Sequence, residues 1–274
     1  MPLELRPLTG TFGAEISGID LREPLDDPTV AEIRGSLLEY EVLFFRGQTI
    51  DPEQHIRFAR YFGELHLPPV QTKHGPWPEV NVIDQTDGRG QGADNWHNDN
   101  TYVAEPPMGS VLHLVTAPPV GGDTCFASMT AAYDALSEPM RRMLGELRAV
   151  HDVTASLLKA RAHGHLDADV DALRAKLPPV DHPVVRTHPE SGRKALFVNP
   201  NSTVRILDLT DAESDAVLRL LYEHVKNPEF QHRFTWDETS VAFLDNRSCQ
   251  HYAVPDYRER RVLHRVTIKG DRPI

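Results

Sequence analysis

Asn95-Trp96-His97-Asn98-Asp99-Asn100-Thr101-Tyr102 sets an imidazole and a carboxylate two residues apart. In an extended segment, side chains at i and i+2 project to the same side, so His97 and Asp99 can grip one ion from a single strand or strand end. By itself a His-x-Asp spacing falls by chance in many proteins. A second stretch, Asp245-Asn246-Arg247-Ser248-Cys249-Gln250-His251-Tyr252, supplies the candidate third ligand, His251. The long interval between Asp99 and His251 leaves room for the strands that must return to the site. Two histidines and one carboxylate on one face of a metal leave the opposite positions open, the facial triad of non-haem Fe(II) oxygenases.

Downstream of His251 comes Arg261-Val262-Leu263-His264-Arg265-Val266-Thr267-Ile268. A two-residue period puts Arg261, Leu263, Arg265 and Thr267 on one face and Val262, His264, Val266 and Ile268 on the other. Two guanidiniums on one face repel each other unless anions sit beside them, and arginine's planar fork matches a carboxylate or sulfonate with two hydrogen bonds. The alternative is a solvated edge strand carrying unpaired positive charge.

Taken in order, the chain predicts short strands at Leu3–Leu8 and Ala14–Ile19, then a helix capped by Asp27 with Pro28 in its first turn and Val30, Ile33, Leu37 and Leu38 on its apolar face. Val42–Phe45 reads as a buried strand, and Asp51-Pro52-Glu53 opens a second helix ending near Gly63. Residues 66–79, rich in proline and histidine, read as a loop, and Gly88–Gly92 as a flexible lead into the His97 stretch. Strands are expected at Val80–Ile83, Val111–Val115 and Cys125–Phe126, and two helices between Thr130 and Glu146. Residues 155–180, with a helical pattern over Leu166–Leu177, are either a lid or a surface insertion. Strands resume at Pro183–Thr187 and Ala195–Val198. Thr210 and Glu213 form a capping box opening a helix to about Val225, followed by strands at His232–Trp236, Ser240–Asp245 and Arg261–Lys269. No repeat or linker divides the chain, so one domain over residues 1–274 is expected, mainly β with flanking helices: a barrel or double-sheet sandwich.

Composition narrows the function. The 274 residues carry a net charge of -11, which argues against a nucleic-acid binder yet leaves room for an anionic substrate held by a few buried arginines. Only two cysteines occur, Cys125 and Cys249, with no disulfide framework. The N-terminus shows no signal pattern and no run approaches membrane-spanning length, so a cytoplasmic enzyme with no membrane partner is expected. His113, on an apolar strand, reads as a satisfied core residue, and Cys125 and Cys249 as inert small hydrophobes.

The ordered series Phe44-Phe45-Arg46-Gly47-Gln48, Phe62-Gly63-Glu64-Leu65-His66, Asn95 to Asp99, Gly121-Gly122-Asp123-Thr124, His182 to Arg193, Asp245 to Tyr252 and Arg261 to Arg265 resembles the taurine dioxygenase (TauD/TfdA) family of Fe(II)/2-oxoglutarate-dependent dioxygenases over nearly the whole chain. The resemblance implies a double-stranded β-helix, the cupin-like jelly roll. It implies that His97, Asp99 and His251 hold Fe(II), and that Arg261, helped by Thr124, pairs with the distal carboxylate of 2-oxoglutarate. Arg265 and Asn95 would contact the primary substrate. Such an enzyme hydroxylates a small anionic organic substrate with O2, releasing succinate and CO2. Taurine-specific members carry a histidine and, three positions later, a tyrosine in the loop after Phe-Gly-Glu-Leu-His, where Pro68 and Gln71 stand here. His66 or His74 could replace the missing donor. The implied substrate is therefore a taurine-like sulfonate, an alkyl sulfate, or an aryloxy or alkyl carboxylate. Leu244 replaces the family's tryptophan before Asp-Asn-Arg. A homo-oligomer, dimer or tetramer, is expected. The rival readings are a metal-binding module of the same fold without turnover, and a zinc hydrolase on the same ligands.

Overall fold

The computed structural model describes residues 3–67, 76–87, 93–164, 167 and 169–274. It opens with an antiparallel pair, β1 (Glu4–Pro7) and β2 (Ala14–Ser17). Helix α1 spans Asp27–Tyr40, and its cap is Asp26, not Asp27: the Asp26 side chain accepts from the Thr29 N–H. Adjacent aspartates offer the same group. Using the first leaves Pro28 still within the turn where a missing N–H costs nothing. Strand β3 (Val42–Phe45) is buried throughout, and α2 (Pro52–Arg60) starts from Asp51 and Gln54 in a reciprocal capping box.

Next come β4 (Leu65–His66), β5 (Val80–Gln85), β6 (Gly109–Thr116) and β7 (Thr124–Ser128), then α3 (Met129–Asp134) and α4 (Glu138–Gly145). The stretch 148–180 contains more than the sequence predicts. Strand β8 (Arg148–His151) precedes α5 (Thr154–Ala162) and α6 (Val170–Lys176), and only α6 overlaps the expected helix. Strands β9 (Val180–Pro183), β10 (Val185–Thr187), β11 (Lys194–Leu196) and β12 (Thr203–Ile206) lead to α7 (Asp211–His224), whose Thr210–Glu213 capping box forms as read. The chain closes with β13 (Gln231–Phe234), β14 (Val241–Asp245), β15 (Cys249–Ala253) and β16 (Arg261–Ile268). Pro68, Gln71, His74, Leu166 and Gly88–Gly92 lie outside the described residues.

The large sheet runs β1-β2-β3-β14-β6-β16-β4, with β5 also paired to β16. A smaller sheet, β13-β7-β15, faces it. Phe44, Leu112, Leu114, Leu244 and Leu263 from the first sheet meet Phe126, Phe234 and Cys249 from the second in one apolar layer. Leu244 is a fully buried member of that layer. Helices α1 and α2 cover the outer face of the large sheet through Ile33, Leu37, Ile56 and Phe58 against Val111, Phe243, Val266 and Ile268. Two facing sheets, antiparallel but for the parallel β2–β3 pair, with helices outside make the jelly roll. The period-2 reading of β16 holds in its register, with Val111, on the outer face, opposite Val266 and with Ser110 opposite Thr267. Strand β16 has partners on both sides, so the edge-strand alternative falls.

His113 is buried as expected but not satisfied: neither ring nitrogen has a hydrogen-bond partner among the described residues. Among the described residues no helix is long and apolar enough to cross a membrane.

Candidate metal centre

The stretch read as extended at His97 is a single bridge. His97 and His251 exchange backbone hydrogen bonds of 3.0 and 2.9 Å, and the chain then turns, with Asn100 at φ +52°. Side-chain amides, not a ladder, fix this turn. Asn246 Oδ1 accepts from the Asp99 N–H at 2.6 Å, and its Nδ2 donates to Asp99 O at 3.0 Å and Pro107 O at 3.1 Å. Asn98 Nδ2 donates to Asn246 O and Cys249 O. The loop after β14 is itself held by Asp245, which accepts from Arg247 Nε and Nη2 and pairs with His188 Nε2 at 3.0 Å. Gly109 on β6 lies so close to β14 that a Cβ would meet Leu244 O at 2.6 Å.

This scaffold brings three expected side chains together. His97 Nε2 lies 3.9 Å from Asp99 Oδ1, the two imidazole centroids are 4.1 Å apart, and one ligand atom from each of His97, Asp99 and His251 lies within 4.8 Å of the others. Their exposures are 9%, 4% and 6%. His97 Nδ1 is 2.8 Å from the Asn95 carbonyl. Donation there puts the proton on Nδ1 and turns the Nε2 lone pair toward the cluster. Burial, then the neighbouring His97, pushes His251 down to about 3, and burial also lowers His97. For Asp99, burial favours the neutral acid, but Arg265 and both imidazoles outweigh it and hold the carboxyl below the usual range. Two neutral imidazoles and one carboxylate are the protonation state a divalent cation requires. The buried Nδ1 of His251 has no hydrogen-bond partner among the described residues, and the donor set fits a borderline divalent metal such as Fe(II).

Arg261 is 3% exposed. Its Nε donates to Gly122 O at 3.0 Å, and its guanidinium lies 5.9 Å from the Tyr257 ring centroid. Among the described residues no carboxylate forms an ion pair with it, and burial lowers its pKa. Thr124, two residues beyond Gly122, accepts from Trp236 Nε1 at 2.9 Å, which leaves its own hydroxyl proton to donate. Arg265 Nη1 sits 2.5 Å from Asp99 Oδ1, a contact the sequence does not announce. Asn95 Oδ1 accepts from the Trp96 N–H, so its amide nitrogen is the donor that remains.

Sequence reasoning missed three supports. Ser110 donates to Asp99 Oδ2 at 2.9 Å. Its signal was a hydroxyl on the same face as Leu112 and Leu114. Asn98 and Asn246 had no readable signal beyond their nearness to the ligands.

A jelly roll carrying a buried cluster of two histidines and one carboxylate, with a buried guanidinium on the same wall that no carboxylate pairs among the described residues, is the architecture of a metal-dependent enzyme. The chain belongs to the taurine catabolism dioxygenase TauD, TfdA family, whose model matches residues 4–267. It is 38% identical to an alpha-ketoglutarate-dependent sulfate ester dioxygenase of Pseudomonas putida, over 100% of this chain and 92% of that protein. It is 35% identical to the alpha-ketoglutarate-dependent 2,4-dichlorophenoxyacetate dioxygenase of Cupriavidus pinatubonensis, covering 99% of each. Its fold matches the crystal structure of AAD-2 in complex with Mn(II) and N-oxalylglycine with a TM-score of 0.85 at 30% identity, over 100% of this chain and 99% of that one.

Proposed function

We propose that this chain is an Fe(II)- and 2-oxoglutarate-dependent dioxygenase that hydroxylates a small anionic organic substrate. His97, Asp99 and His251 are the residues that would hold the metal. Held there, Fe(II) would supply with 2-oxoglutarate and O2 the oxidation that puts one oxygen atom on the substrate carbon and the other into succinate, with CO2 released.

The observation that carries the reading is Arg261. A guanidinium buried to 3% exposure without a carboxylate partner among the described residues is costly unless an anion joins it. Its strand also delivers Arg265 to the Asp99 carboxylate. Arg261 and the free hydroxyl proton of Thr124 would take the distal carboxylate of 2-oxoglutarate. Tyr257, anchored through its hydroxyl to Gln85 Oε1 at 2.8 Å, packs beside the guanidinium and keeps water from it. Ser110 and Asn95 O orient Asp99 and His97, so the chain's contribution is positioning and charge. Arg265 and Asn95 would meet the primary substrate.

Relatives that act on a sulfate ester and on an aryloxyacetate support an organic anion whose oxidised carbon lies near its charge. Proline at position 68 offers no side-chain donor, which argues against taurine itself. We assign the whole chain to one catalytic domain. Helices α5 and α6 would wall the substrate entrance: their apolar cluster packs on Tyr102, three residues past Asp99, and Lys159 pairs with Asp94 at 2.5 Å, next to Asn95. The two free cysteines suit a reducing, cytoplasmic setting. The test is succinate formation from 2-oxoglutarate with Fe(II) across sulfonates, alkyl sulfates and aryloxy acids. The proposal expects substrate-stimulated succinate with at least one class, and silence across all three would reject it.

A further inference from the structure

Three buried polar atoms on one patch of the inner wall have no hydrogen-bond partner among the described residues: Arg265 Nε, His66 Nε2 and Asn81 Oδ1. Their placement follows from strand register. On the far edge of β16, Asn81 of β5 stands directly opposite Arg265, and His66 of β4 directly opposite Thr267. Directly opposed residues share a face, and residues one register step along remain within reach of long side chains. Thr267 Oγ1 lies 3.5 Å from Ser110 Oγ, which touches Asp99, so this is the face that looks into the metal centre. His66 therefore comes from the strand before the proline-rich loop and looks at the same space as Arg265.

The free donors differ in direction. Arg265 commits Nη1 to Asp99, which leaves the Nε side of its planar fork for a ligand. Two in-plane oxygens satisfy such an edge, and a carboxylate has no more to give. A sulfate ester or sulfonate has a third oxygen outside that plane, and a donor for it must come from another element.

We propose that His66 is a specificity-determining residue of the primary-substrate site, its Nε2–H donating to the out-of-plane oxygen of a tetrahedral sulfur oxyanion gripped by Arg265. The chain thereby prefers alkyl sulfates or sulfonates to aryloxyacetates. Burial, then the charge of Arg265, lowers the His66 pKa, so the ring sits beside the guanidinium as a neutral donor. This rests on the dioxygenase reading above and names the substrate class of that site.

The test is calorimetric binding of hexyl sulfate and of phenoxyacetate to the air-free protein loaded with Mn(II) and 2-oxoglutarate. For wild type, hexyl sulfate is expected to bind more tightly. His66→Ala should weaken hexyl sulfate about tenfold or more, the loss of one hydrogen bond to a charged group, and phenoxyacetate by less than about threefold on the same argument. His66→Gln, which restores an N–H donor, should recover most of the sulfate affinity, and 2-oxoglutarate affinity in both variants reports an intact site. Equal losses for the two anions, no loss for either, or no sulfate binding by wild type would overturn the proposal. Failure of the dioxygenase reading would show separately, as no succinate from wild type with Fe(II), O2 and either compound, while the binding comparison still decides the role of His66.

Discussion

Asn246 gives the turn at Asp99 what a neighbouring strand would otherwise supply. Its amide takes both the N–H and the C=O of Asp99 and also the carbonyl of Pro107, so Asn246→Ala strands three buried backbone groups. At about 1–3 kcal/mol for each unsatisfied group, the variant should lose at least about 3 kcal/mol of stability even without metal, read by chemical denaturation. Ser110→Ala differs in kind. The serine hydroxyl reaches the carboxylate oxygen Oδ2 and, at 3.5 Å, the Thr267 hydroxyl, and holds no backbone group, so stability should hold while metal affinity falls about tenfold, the usual cost of losing an outer partner of a ligand. An unchanged metal titration would remove Ser110 from the site's design. At Arg261 the expected effect is on the cosubstrate. Arg261→Ala should raise the 2-oxoglutarate requirement by about 10- to 100-fold, the cost of a charged hydrogen bond, with the substrate requirement little changed. Equal rises in both would contradict the division of labour between Arg261 and Arg265.

Strand β16 is legible in the sequence because two rules agree on it. Its alternation fixes which side chains share a face, and no other arrangement buries Val262, Val266 and Ile268 while bringing both arginines to one wall. The helices at Asp51 and Thr210 are legible through their caps. Strands β8 and β12 are not. They carry polar and charged residues, Arg148, His151, Thr203 and Arg205, and they exist because tertiary pairing joins them: β8 lies between β12 and β9. The turn at Asp99 reads as extended in the sequence for a related reason. The side chains that hold it come from residues far along the chain, and no local pattern encodes them. Close approach of β6 to β14 is equally invisible locally. Gly109→Ala should cost about 1–3 kcal/mol by overpacking, since its Cβ would sit 2.6 Å from a backbone oxygen. A thermal melt matching wild type would show that β14 can move aside.

Over the whole molecule, buried histidines set the response to acid. Burial pushes His55 and His151 down to about 3 and His113 to about 4. All three stay neutral in the fold at a pH where the unfolded chain, with histidines near 6.5, takes up protons. The unfolded state thus binds more protons, and stability falls as pH drops from about 6.5 toward 4, by up to about 1.4 kcal/mol per pH unit for each histidine. Glu41 works the other way. Burial raises it to about 7, so it opposes folding as pH rises from about 4.5 to 7, and three histidines outweigh one carboxyl below 6.5. The His113 ring has no hydrogen-bond partner among the described residues, so His113→Leu should fold at least as stably at pH 7.5 and lose less stability than wild type on going to pH 5, measured by denaturant unfolding at both. An unchanged pH slope would show that His113 takes up its proton within the fold.

One measurement tests the central claim most directly: anaerobic Fe(II) titration of wild type and Asp99→Ala, each followed by succinate formation on admitting O2 with 2-oxoglutarate and an alkyl sulfate. The account predicts one Fe(II) per wild-type chain and sustained succinate, with both lost together in the variant. A variant that still binds one Fe(II) with wild-type affinity and turns over 2-oxoglutarate at the wild-type rate would contradict it.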